Sequence, residues 1–229
     1  MYTRQAVTAL YRESYAEMYE KLYLEPWPEK HQINLKLLKL ILKDLPSSGR
    51  WLDICCGQAW HFSQVDSPLG KIGVDLSESQ LRRAAIRNPS ASFICTDVSE
   101  LNFQTASFTL VTSFWGAYCY LEDDRAILTL VEKAISWIEA GGAFYLEVLP
   151  PESLASFNSS PYAKRTGFLV TARTPDYRAW SYEDYAGVHL MTSPPLDSFI
   201  AVFQKHFELV NWMPTGFMVN LIGRNRRIA

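Results

Sequence analysis

The chain has 229 residues, 48% of them apolar and 14% aromatic, enough for one domain with a sizeable core. Its 22 Lys and Arg against 24 Asp and Glu provide no basic face for a phosphate backbone, which argues against nucleic acid as a partner. Cys55, Cys56, Cys95 and Cys119 have neither metal-ligand spacing nor the density of a disulfide framework, so reduced thiols in a cytoplasmic protein and no bound metal are expected.

Residues 2 to 23 read as a helix on which Tyr11, Tyr15, Tyr19 and Tyr23 recur every four positions and share one aromatic stripe. Charges from Arg4 to Lys21 exclude a signal sequence there, and Lys36 and Lys39 interrupt the apolar run 35–42, so no membrane span is expected. A second helix over about 29–45 turns Ile33, Leu37, Leu38, Leu40 and Ile41 toward a core and stops at Pro46 and Gly49. Residues 1–48 therefore describe a helical lid.

From Arg50 short β-rich runs alternate with helical ones, the pattern of βαβ units in a parallel sheet. Strands are expected at 50–55, 71–76, 91–95, 107–113 and 142–149, and helical stretches at 60–65, 78–88, 98–101 and 122–139. Gly141-Gly142 ends the last helix and leads into the fifth strand. The Pro- and Ser-rich segment 150–165 reads as a loop, followed by antiparallel ribbon strands up to about residue 192 with a turn at Pro175-Asp176. A helix at 196–206 and the stretches "FELVNWM" and "FMVNLIGRN" complete the chain.

In an open α/β sheet the ligand lies beyond the carboxyl ends of the strands, and the turn after the first strand must let backbone approach it. A dinucleotide turn uses three glycines against pyrophosphate; "LDICCGQA" keeps Gly57 alone, with Cys55 and Ala59 in the other places. A ligand with adenosine but no phosphate needs less. The stretch resembles the first motif of the class I S-adenosylmethionine-dependent methyltransferases at Asp53 and Gly57. "IGVDLSESQLRRA" is similar to the second motif of that family, with Asp75 22 residues after Asp53, and "FICTDVSELNF" to the third, with Asp97 after the third strand. The stretch from "ASFTLVTSFWG" to "AGGAFYLEV" resembles the fourth strand, helix and fifth strand of its small-molecule members.

The resemblance implies a Rossmann-like, mostly parallel seven-stranded sheet with an N-terminal helical cap and an antiparallel β-ribbon insertion after strand 5. It implies a single methyltransferase domain: lid 1–48, cofactor core 49–149, substrate-covering insertion 150–195, and a last helix and strands at 196–229. S-adenosylmethionine is the implied cofactor, held by Tyr15 and Tyr19 from the lid and by Asp53, Cys55 and Gly57. Asp75 would accept from the ribose diol with Leu76 and Gln80 beside it, each charged hydrogen bond being worth roughly 1.5–3 kcal/mol. Asp97 would take the adenine amino group, with Thr96 and Val98 by the ring and Ser113 and Phe114 on the next strand end. Trp115, Tyr118, Tyr162 and Trp180 would meet the acceptor, a small molecule methylated on nitrogen or oxygen by a monomer or homodimer.

Methyl transfer is a displacement in which alignment supplies several kcal/mol, and a hydroxyl acceptor benefits from a general base with a pKa near roughly 7. His61 and His189 are the candidates for that base; Glu147 at the end of the fifth strand, or Glu183 and Asp184 in the ribbon, would instead hold a cationic acceptor. Two other readings stand beside this one. A nicotinamide-dependent reductase would also use Asp75 for ribose, and a non-catalytic adenosine-ligand partner protein would keep the cofactor residues alone.

Overall fold

The structure, a computed structural model, describes residues 4–184 and 186–227. The beginning of the expected first helix and Tyr185, one of the ribbon's aromatic residues, lie outside the described residues.

The lid is not one helix but two. α1 (Arg4–Leu10) ends where Arg12 takes extended backbone and its guanidinium donates to the Ala9 carbonyl; α2 (Glu13–Tyr19) then runs into a wider turn, Glu20–Leu24, closed by Glu25 N–H on the Glu20 carbonyl at 2.8 Å. The break and the wide turn change the phase of the tyrosine stripe. α3 (Pro28–Asp44) begins on a proline, which suits the first turn because that nitrogen has no helical partner to lose.

The core then alternates β1 (Arg50–Ile54), α4 (Trp60–Gln64), β2 (Gly70–Asp75), α5 (Glu78–Arg87), β3 (Ser92–Cys95), β4 (Phe108–Ser113), α6 (Asp124–Ser136) and β5 (Ile138–Val148). Ser77 caps α5 by accepting from Gln80 N, and Asp123 caps α6 through Ala126 N. After β5 come α7 (Pro151–Ala155) and α8 (Pro161–Thr166), where a loop was expected. The prolines and Ser160 that suggested a loop stand at helix starts, Ser160 accepting from Ala163 N at 3.2 Å. β6 (Leu169–Ala172), β7 (Ala179–Asp184) and β8 (Gly187–Thr192) form a separate three-stranded antiparallel sheet, and α9 (Leu196–His206), β9 (Phe207–Thr215) and β10 (Met218–Arg226) finish the chain.

The main sheet has seven strands in the order β3-β2-β1-β4-β5-β10-β9; β1 to β5 are parallel and β10 is antiparallel to both its neighbours. All six residues of β4 and the last seven of β5 are buried, as parallel strands covered by helices on both faces require. Alternate residues feed two cores: Leu52, Val111, Phe144 and Leu146 meet α6 and α9 on one face, and Trp51, Leu110 and Tyr145 meet α3 and α4 on the other. Gly141-Gly142 lies inside β5, not at the end of α6. There the pairing with β4 jumps from Phe108↔Ile138 to Leu110↔Ala143, and a Cβ on Gly142 would sit 2.8 Å from the Thr109 carbonyl oxygen. No helix among the described residues is long and apolar enough to cross a membrane.

Candidate functional site

The loop after β1 shows how one glycine suffices. Cys55, Gly57 and Ala59 have φ of 56°, 52° and 48°, so three alternate residues are left-handed though only one is a glycine. The conformation costs a non-glycine residue roughly 1–2 kcal/mol, and neighbours hold it in place. Cys56 N donates to the Val74 carbonyl at 2.9 Å, Asn88 Nδ2 to the Ala59 carbonyl at 3.1 Å, and Gln58 Nε2 to the Ala16 carbonyl at 2.7 Å. The last bond also fastens α2 to the loop, and the Tyr19 ring lies over Gly57, its hydroxyl 3.5 Å from where a Cβ would be.

Acidic groups stand at three strand ends. Asp75 takes Gly57 N at 2.8 Å on one oxygen and Ser77 N at 2.9 Å on the other, so a single carboxylate ties the first two loops together; burial raises its pKa against the pull of these bonds. Asp97 caps the turn after β3 by accepting from Ser99 N and Oγ. Asp53 accepts from the Thr112 hydroxyl at 2.6 Å, which in turn accepts from Trp51 Nε1 at 2.9 Å, and burial pushes its carboxyl up to about 8.

These ends open into one cavity of about 290 Å³ bounded by the strand-end loops, the lid and the ribbon. At its polar end Asp53, Cys55, Gly57, Asp75, Leu76 and Gln80 line it, with Thr96, Asp97 and Val98 continuing the wall; Tyr19 and Phe114 also reach it. Trp115, Tyr118, Trp180 and His61 line the cavity as well. Five residues expected at the site are not brought to its wall, Glu147 among them. Tyr15 is buried with its hydroxyl on Asp184, Ser113 is buried in β4, Tyr162 stacks on Trp27 at 4.9 Å, and His189 lies behind Tyr120 and Tyr182. Tyr11, Tyr23, Trp27, Gln58 and Ser77 line the cavity without having been expected to; the tyrosine stripe was the signal for the first two, and nothing local marked the others.

The two other groups considered for catalysis have definite environments. Glu147 is fully buried and not on the cavity wall. Its carboxylate accepts from Lys30 Nζ at 2.7 Å, Asn34 Nδ2 at 2.8 Å and Trp115 N at 2.7 Å, while Lys30 sits 3.8 Å over the Trp115 ring. The pair thus fixes Trp115, whose φ of 64° is itself left-handed. His61 stacks on Phe114 with centroids 3.6 Å apart, and burial, helped by nearby Lys30 and His31, holds its pKa well below the ordinary value, leaving a neutral ring.

The wall suits S-adenosylmethionine on a direct test. Both ends of the Gln80 amide, 1% exposed and lining the cavity at the start of the helix after Asp75, lack a hydrogen-bonding partner among the described residues. No Lys or Arg among the described residues lines the cavity, as a cationic ligand without phosphates would favour.

A sheet of this order is a Rossmann-like α/β sheet, a fold whose ligands lie at the carboxyl edge of the strands, where the three acids stand. Residues 52–142 match a family model described as "Methyltransferase domain". The chain is similar to the PH0226 protein of Pyrococcus horikoshii OT3, at 17% identity over 94% of this chain and 99% of that one, TM-score 0.68. It is similar to DesVI of Streptomyces venezuelae at 21% identity over 92% and 98%, TM-score 0.65. It also resembles CalS10 of Micromonospora echinaspora, described as an amino pentose methyltransferase with S-adenosylmethionine bound, at 19% identity over 86% and 91%, TM-score 0.62. No curated protein matches the sequence. The chain thus shares the fold of these solved structures, and its central stretch, residues 52–142, matches the methyltransferase-domain family.

Proposed function

We propose that the protein methylates a nitrogen or oxygen of a small-molecule metabolite, working as one domain in the cytoplasm as a monomer or homodimer. Bound S-adenosylmethionine supplies an activated methyl group. Asp75 and Gln80 hold the ribose, Asp97 and Val98 the adenine, and Tyr19 and Phe114 close over the rest, while Trp115, Tyr118 and Trp180 orient the acceptor. The observation that carries the small-molecule reading is the aromatic cavity bounded by lid and ribbon, with no Lys or Arg among its described lining. The description of CalS10 as an amino pentose methyltransferase fits this size class.

Calorimetry is expected to show S-adenosylmethionine and S-adenosylhomocysteine binding and NADH not binding; binding of NADH alone would turn the assignment toward a reductase. With cofactor labelled in its methyl group and a metabolite extract, label is expected in the low-molecular-mass fraction. Label confined to protein or nucleic acid would refute the acceptor class.

A further inference from the structure

Five phenols, one imidazole and one carboxylate meet where the lid, the loop after β4 and the ribbon close on each other. Asp184, at the end of β7, accepts from Tyr15 at 2.8 Å and Tyr23 at 2.9 Å on one oxygen, and from Ala186 N and His189 Nε2, both at 2.8 Å, on the other. Burial works to raise its pKa, but the hydrogen bond and charge of His189 and the hydrogen bond from Tyr15 outweigh it and the group stays a carboxylate. A carboxylate only accepts, so His189 Nε2 carries a proton, and a ring holding that proton alone presents the Nδ1 lone pair. Tyr120 Oη is hydrogen-bonded to that Nδ1 and is therefore the donor. Having given its proton, the Tyr120 oxygen accepts from Tyr11 Oη at 3.1 Å; Tyr182 Oη lies 3.3 Å away, but its single proton goes to Tyr23 Oη at 3.0 Å, because Tyr23 has given its own to Asp184. His189 has no exposed surface and lies flat on the Tyr182 ring at 4.3 Å, whereas Tyr11, Tyr120 and Tyr182 line the cavity.

We propose that Tyr120 receives the proton of a hydroxyl acceptor while passing its own to His189, which Asp184 holds in place, so that the reaction is O-methylation of an uncharged, largely apolar alcohol or phenol. The proposal rests on the methyl-transfer reading above and selects oxygen over nitrogen within it. A neutral amine already presents its lone pair and needs no base before it attacks, whereas a hydroxyl is a weak nucleophile until its proton has somewhere to go. The acceptor hydroxyl replaces the long contact with Tyr182 and donates to Tyr120 Oη. Its oxygen forms the new bond to carbon as the methyl–sulfur bond breaks, with that electron pair remaining on sulfur. The acceptor's proton moves to Tyr120, the Tyr120 proton to Nδ1, and the imidazolium, stabilised by Asp184, loses a proton to solvent after the product leaves. Tyr120 is thus the catalytic residue, and His189 and Asp184 are positioning residues. The described wall around them is mostly phenol and indole; Asp184 is occupied by its own donors, and the Glu122 carboxylate there is exposed to solvent, which weakens its hold on an ammonium group.

The titratable groups facing His189 are Asp184, Tyr11, Tyr15, Tyr120 and Tyr182, and protonation of Nδ1 blocks the relay. Methylation of 4-methylumbelliferone and catechol is followed as S-adenosylhomocysteine release. Tyr120→Phe should lower kcat by about 100-fold or more, and His189→Gln should lower kcat while leaving the KM for S-adenosylmethionine unchanged. Tryptamine, an amine probe, should not be methylated. Methylation of tryptamine with the phenols untouched, or a Tyr120→Phe protein as fast as wild type, overturns the relay while leaving methyl transfer standing; failure to bind S-adenosylmethionine sinks both. A measurement that needs no turnover settles the case where neither phenol reacts. In ¹⁵N-histidine-labelled protein with S-adenosylhomocysteine, His189 should be protonated at Nε2 only. Adding 4-methylumbelliferone should shift Nδ1 in wild type and not in Tyr120→Phe. A proton on Nδ1, or an Nδ1 signal indifferent to the phenol, refutes the proposal.

Discussion

Replacing Asp53 by Asn gives the sharpest test of how the cofactor edge is built. Burial holds this carboxyl near 8, against an ordinary 3.8, so the folded protein keeps a proton that the unfolded chain gives up over that interval. Stability is therefore undiminished below about pH 4 and declines as pH rises toward about 8, by about 1.4 kcal/mol per pH unit and on the order of 5 kcal/mol in all. Asp53→Asn keeps a carbonyl oxygen for the Thr112 hydroxyl and removes the titration. Its unpaired amide costs a further amount that does not vary with pH, about 1–3 kcal/mol. Urea unfolding of both cofactor-free proteins in steps from about pH 4 to 9 should show their difference shifting in favour of the variant until about pH 8 and then levelling off. Asp75, also raised by burial, contributes to both proteins and largely cancels in the difference. A difference that stays flat over that range refutes an ionisation set by burial. The same logic requires that cationic S-adenosylmethionine release a proton on binding near neutral pH, measurable by calorimetry in two buffers of different ionisation enthalpy.

Asp75→Ala should weaken S-adenosylmethionine binding by about tenfold or more in calorimetry, because it removes both the ribose acceptor and the tie between Gly57 and Ser77. Lys30→Met should cost about 3–5 kcal/mol in urea unfolding by leaving Glu147 buried and unpaired, and adding Glu147→Gln should recover much of that loss. Gly73→Ala should destabilise by about 1–3 kcal/mol, since the new Cβ would lie 2.7 Å from the Phe93 ring and 2.8 Å from Cys56 Sγ; Phe93→Leu in the same protein should restore part of it.

What the sequence made legible is what the chain builds locally. Asp53, Asp75 and Asp97 fall one βαβ step apart, and that period brings them to one edge because every parallel strand ends on the same side. Cys55 and Ala59 obscured the turn, since a left-handed backbone is marked in sequence only when glycine adopts it. The environment of Glu147 was out of reach for a different reason. Its partner Lys30 is 117 residues away, and no property of the fifth strand announces that a lysine of α3 will neutralise it. The tyrosine stripe lies between these cases. Its four-residue spacing identified a shared face, but the break at Arg12 and the wide turn after Tyr19 send Tyr11, Tyr19 and Tyr23 to the cavity wall and Tyr15 behind it. Gly141-Gly142 shows the converse error, a helix-stop signal used instead for close approach between two strands.

Asp184 belongs to the ribbon, yet two of its four donors come from the lid, Tyr15 on α2 and Tyr23 in the turn that follows. Any displacement that swings the lid outward to admit an acceptor or free a product strips that carboxylate of both phenols at once and admits water to the His189 ring. The latch and the imidazole's anchor are one group, so under the proposed relay an open lid also leaves the histidine unsteered, and proton transfer waits until the lid has shut.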